Sequence, residues 1–81
     1  MSNERGGGDY QVPGLERGLR VLEAFGRDCP EMPLAELTKK LSLPRATAFR
    51  LVSTLERMGY LEKHPDRKTF RLGSRVLRLG F

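Results

Sequence analysis

The chain has 81 residues, of which 38% are hydrophobic: enough for one compact core, in a domain that buries only about 60% of its unfolded surface. Its net charge of +5 is uneven, because residues 1–43 carry six Lys/Arg against seven Asp/Glu and residues 44–81 carry nine against three. No apolar run approaches the roughly 18 residues of a membrane span, no signal peptide is visible, and a single cysteine, Cys29, excludes an internal disulfide and suits a reducing cytoplasm.

Residues 1–13 contain Gly6, Gly7 and Gly8 and read as a disordered tail. No strand precedes these glycines and no Lys-Ser/Thr follows, so they are not a phosphate loop. A first helix is predicted over about 14–25. Leu15, Gly18, Leu19, Leu22 and Phe25 share one face, Glu16, Arg20 and Glu23 the other, and Gly26 stands where a C-cap glycine belongs. Residues 26–33 read as a loop with two prolines. A second helix follows over about 34–41, with Leu34, Leu37 and Leu41 inward and Pro33 in its first turn.

After a short break at Ser42-Leu43, a third helix is predicted over about 44–58. Pro44 opens it and Gly59 closes it. Ala48, Leu51, Val52, Leu55 and Met58 form its apolar face. The opposite face carries Ala46, Phe49, Arg50, Ser53 and Arg57, with Arg45 at its edge. Two strand-like runs, 60–64 and 69–72, are joined by the turn Pro65-Asp66-Arg67-Lys68, with Phe70 and Leu72 inward. Ser74 is a good N-cap for a last helical segment over 75–81.

Helix, helix, tight turn, helix, hairpin is the order of a winged helix-turn-helix: mainly α, with a three-helix core and a small β-hairpin as wing. A helix fits the DNA major groove, about 12 Å wide, and its N-terminal turn directs N–H groups and partial positive charge at phosphate. The third helix carries the donors this requires, Arg45, Thr47, Arg50 and Arg57. At the wing tip, Arg67 and Lys68 can reach phosphates or the adjacent minor groove.

Each assignment has a plainer alternative. The arginines, with Arg67 and Lys68, could be solvated charge on an ordinary polar surface. Phe49 either packs on the wing or touches thymine methyls, Ala46 lets the backbone approach DNA or merely favours helix, and Thr47 could bond back within its own turn. A protein-interaction or dimerisation module is the rival reading for the whole domain, with Phe49 in its favour and the basic second half against it. With one histidine, His64, and one loop cysteine, the chain has little from which to build a catalytic, metal or cofactor site.

The run from Gly14 to Phe81 resembles the N-terminal DNA-binding domain of the IclR family of bacterial transcriptional regulators. The resemblance lies in GLERGLRVLEAF (residues 14–25), LAELTKKLSLPRATAFRLVSTLERMGYL (34–61) and FRLGSRVLRLG (70–80). It implies recognition by Arg45, Ala46, Thr47, Phe49 and Arg50, and a linker helix starting at Gly73-Ser74-Arg75. It also implies an effector-binding domain after residue 81, absent from these 81 residues, through which a small molecule acts. Homodimers or tetramers on palindromic or repeated double-stranded operators follow, with the first helix in the dimer contact. Leu15-Glu16-Arg17-Gly18-Leu19 and Arg45-Ala46-Thr47 are similar to the branch that regulates aromatic-acid breakdown. Where the family has Ser or Thr before the second helix, Pro33 removes a cap but not the helix.

Overall fold

The computed structural model describes residues 10–80. The elements are α1 (Pro13–Glu23), β1 (Met32–Pro33), α2 (Leu34–Leu41), α3 (Arg45–Met58), β2 (Leu61–Lys63), β3 (Thr69–Leu72) and α4 (Ser74–Leu77). Most of the expected tail lies outside the described residues, and its last member, Pro13, opens α1 instead. A proline is suited to that place because no backbone N–H is needed there.

The core draws at least one side chain from each of six elements or the turns beside them. Val21 and Phe25, Met32, Leu37, Val52, Leu61 and Phe70 form one buried cluster. Leu34, Leu41, Leu51, Leu55 and Leu72 pack around it, half-buried. The expected apolar stripes are therefore only partly inside. Leu15 and Leu19 of α1 are 63% and 51% exposed, and Met58 of α3 is exposed as well. All three line a groove between α1 and α3, with Leu79 beyond α4 on its rim.

Three local readings are corrected. The loop over 26–33 ends in a strand, β1, which pairs antiparallel with β3 (Met32 with Phe70, Pro33 with Thr69) and makes the hairpin a three-stranded sheet of order β1-β3-β2. Gly26 does not cap α1, whose C-cap is Ala24. It exchanges backbone hydrogen bonds with Cys29 across a tight turn, both at 3.2 Å. Pro33 and Pro44 are N-cap residues in extended conformation rather than first-turn residues, and neither supplies a side-chain cap.

The break between α2 and α3 is tight because Ser42 is left-handed, at φ 54° and ψ 47°. Leu43 N–H then reaches back to Thr38 O at 3.1 Å, the long bond of a Schellman turn. Gly59 (φ 91°) ends α3 in the same way, with Tyr60 N–H on Leu55 O at 2.9 Å.

The last helix is shorter than expected. Gly73, not Ser74, is its N-cap, and beyond Leu77 the backbone continues in i→i−3 bonds to a left-handed Gly80. The end of β3 is locked to the end of α3. Gly73 N–H donates to Tyr60 O at 2.8 Å, and Arg75 N–H donates to Gly59 O at 3.2 Å. A Cβ on Gly73 would sit 2.4 Å from Gly59 O, a backbone atom with no side-chain freedom to yield. Gly73→Ala is therefore expected to destabilise the domain by about 1–3 kcal/mol through overpacking, read as a lower urea midpoint with unchanged slope.

Candidate nucleic-acid interface

The candidate face is built on α3. Ala48 and Val52 are buried and Leu51 and Leu55 half-buried, so one stripe anchors the helix and the rest faces out. Arg45, Ala46, Phe49, Arg50 and Arg57 are exposed, Phe49 at 58%. Thr47 and Ser53 are half-buried at the margin of the stripe. Arg45, Arg50 and Arg57 form no ion pair among the described residues, and Thr47 Oγ1 makes no hydrogen bond there.

The first turn of α3 differs from those of α1 and α2, although the four-residue α4 likewise lacks an acidic residue there. Glu16 lies in the first turn of α1 and Glu36 in that of α2, where each opposes the positive end of its helix. The first turn of α3 has no acidic residue, begins with Arg45, and receives no side-chain cap from Pro44. Its leading N–H groups and a guanidinium share one end, an arrangement that costs helix stability and suits an anion.

The hairpin of β2 and β3 supplies the wing. Leu61, Glu62 and Lys63 stand opposite Leu72, Arg71 and Phe70. The Glu62–Arg71 pair closes at 3.2 Å on the exposed face, and the Lys63 ammonium lies 5.8 Å from the centre of the Phe70 ring. His64 N–H donates to Thr69 O at 2.7 Å, closing the turn. Inside the turn, His64 Nδ1 accepts the backbone N–H groups of Asp66 (3.0 Å) and Arg67 (3.1 Å). Lys68 takes the left-handed position, φ 55°.

The two wing-tip cations differ. Lys68 is exposed and makes no ion pair among the described residues. Arg67 forks onto Glu31, Nε to Oε2 and Nη2 to Oε1, both at 3.1 Å. The Thr69 hydroxyl donates to the same carboxylate. Glu31 was absent from the sequence-derived site. It lies 36 residues from Arg67, on a loop with no periodic pattern, and only the unforeseen β1–β3 pairing brings them together.

The IclR helix-turn-helix family model matches residues 14–65, which takes in α1 through β2. The chain belongs to the IclR family. The TsaQ1/TsaQ2 regulator of Comamonas testosteroni is 42% identical over 71 residues, covering 85% of this chain and 24% of that protein. The p-hydroxybenzoate hydroxylase transcriptional activator of Acinetobacter baylyi is 39% identical over 72 residues, covering 89% and 26%. An IclR-family transcriptional regulator from Brucella abortus, solved by crystallography, superposes with a TM-score of 0.86 at 36% identity, covering 90% of this chain and 28% of that one. The chain thus spans about a quarter of the length of its relatives. It is a winged-helix DNA-binding domain of an IclR-type regulator.

Within this IclR domain the structure brings Arg45, Ala46, Phe49 and Arg50 together on two turns of α3. Arg57 stands two turns further on, and Arg67 and Lys68 lie beyond the matched stretch, on the wing. No helix among the described residues is long and apolar enough to cross a membrane.

The Thr69 hydroxyl bond, then the Arg67 guanidinium, hold the Glu31 carboxyl below its ordinary range. A depressed folded pKa stabilises the fold above the unfolded value, about 4.3 for glutamate, and the contribution is lost as pH falls through the folded value. Glu31→Gln is therefore expected to melt below the unsubstituted chain at pH 6–7, with the gap narrowing as pH falls below about 4.3. A gap that stays constant with pH would show that the charge on Glu31 contributes nothing to the fold.

Proposed function

We propose that α3 enters the major groove of double-stranded DNA and that Arg45, Ala46, Thr47, Phe49 and Arg50 read the operator. Arg45 and Arg50 are donors for base edges or phosphates, Ala46 permits close approach of the backbone, and Phe49 offers an apolar surface to thymine methyls. Ser53 and Arg57, further along the same helix, meet the sugar-phosphate backbone, as does the wing tip through Lys68. The observation that carries this reading is the outer face of α3, where Arg45, Phe49 and Arg50 stand exposed on two turns and neither arginine has an ion pair among the described residues.

The apolar groove bearing Leu15, Leu19 and Met58 supports a homodimer of the full-length regulator. Dimerisation in this reading accompanies DNA binding rather than replacing it. Two recognition helices would then meet half-sites about 34 Å apart, or a multiple of that, on a palindromic or repeated operator. The relatives are about four times longer, and the remainder of the regulator is where a small-molecule effector would bind. The name of the Acinetobacter baylyi relative supports an aromatic acid as its class. No catalytic role is assigned to the chain.

Selection from a random duplex pool tests the reading: an enriched half-site supports it, and salt-dependent retention without enrichment rejects base reading by α3. On the enriched site Arg45→Ala is expected to cost about 1–3 kcal/mol, with a smaller loss on random duplex. Arg45→Glu should abolish binding while raising stability by about 0.3–1 kcal/mol, because an acid suits a helix N-terminus. A variant that lost both stability and binding would make Arg45 a structural residue.

A further inference from the structure

The two cations of the wing tip are adjacent in sequence but not equivalent, and the difference originates outside the wing. Glu31 immediately precedes β1, and β1 is bonded to β3 at Met32–Phe70 and Pro33–Thr69. The carboxylate is thereby fixed beside the base of the wing rather than carried on a free loop. Three donors converge on it: Arg67 Nε, Arg67 Nη2 and the Thr69 hydroxyl. The backbone of Arg67 is held as well, by its N–H on His64 Nδ1. Glu31 is the more covered partner, with a side-chain exposure of 29% against 62% for the exposed Arg67.

We infer that Glu31 withholds Arg67 from DNA phosphate, so that the wing tip meets the duplex through Lys68. For Arg67 to contact phosphate it must give up a two-pronged bond to one anion for a bond to another. That exchange yields little charge neutralisation, and it leaves the Glu31 carboxylate with one donor, facing the negatively charged backbone. Lys68 has no such partner among the described residues, and its charge is available without exchange. Glu31 is a positioning residue in this sense: it touches no DNA, fixes the guanidinium and the turn, and sets how many phosphates the wing neutralises. A lower phosphate count reduces sequence-independent affinity and leaves α3 a larger share of the discrimination. The inference rests on the wing facing DNA.

The test is the salt dependence of binding to a random-sequence duplex, because its slope counts phosphates neutralised at about 0.9 each. Lys68→Ala should flatten the slope of the 81-residue chain by about 0.9, and Arg67→Ala, which removes no phosphate contact but bares the Glu31 carboxylate, should flatten it by clearly less. Glu31→Ala should steepen it by about 0.9, a further three- to fourfold loss of affinity between 50 and 200 mM salt. The double variant Glu31→Ala/Arg67→Ala should return to the unsubstituted slope, an outcome that a merely structural role for Glu31 would not produce. If Glu31→Ala fails to fold, Arg67→Ala alone decides. Flattening by Arg67→Ala equal to that of Lys68→Ala overturns the inference while leaving the wing on DNA. No change from either wing variant, or no salt-dependent binding by the unsubstituted chain, removes the wing from the interface and the inference with it.

Discussion

Everything in this domain depends on holding α3 firmly by a narrow stripe. Ala48 and Val52 are its buried residues, both small, and Leu51 and Leu55 are only half inside. Small side chains let α1 and α2 come close, so a firm hold needs little of the helix circumference. The two ends are fixed by backbone rather than by side chains, through the left-handed Ser42 before α3 and the left-handed Gly59 after it. Because the backbone does this work, the side chains of the first two turns are free to be arginine, alanine and phenylalanine. Arg45 lies where its charge opposes the helix dipole, so local preference alone does not account for it.

The molecule separates its two kinds of surface. Arg45, Phe49 and Arg50 are exposed on one side of α3, whereas the exposed leucines of α1 lie with Met58 along a groove that none of those three residues lines. In a domain this small, one helix must serve the core, the candidate DNA face and the apolar groove at once. That is why α3 has a charged margin, a buried stripe and an exposed methionine within 14 residues.

What could be read from the sequence was what periodicity and turn chemistry encode. The three helices, the break at Ser42-Leu43, the glycine closing α3 and the inward Phe70 all follow from local patterns. The exposed face of α3 follows from the same spacing that predicts its buried side. Three features were not legible, for related reasons. A two-residue strand has no alternation to detect, and β1 exists only because β3 offers it an edge. The burial of Met32 depends on that pairing, so a methionine between loop prolines became a core residue. Glu31 followed Met32 into place, and the Arg67 partner it provides could not be seen without the strand. The exposure of Leu15 and Leu19 has another cause: an apolar stripe says that a face seeks cover, not that this chain supplies it.

The close approach of Gly73 to Gly59 also has a mechanical meaning. Two backbone hydrogen bonds join the start of α4 to the C-terminal end of α3, at a contact with no side chain on either glycine to bend or slip. The segment entering α4 is tied directly to the end of α3, with no free linker between them. A rotation imposed on α4 would load the C-terminal end of α3 first, as a lever arm loads its pivot. The domain is thus built less like a bead on a string than like a key whose bow and blade are cut from one piece.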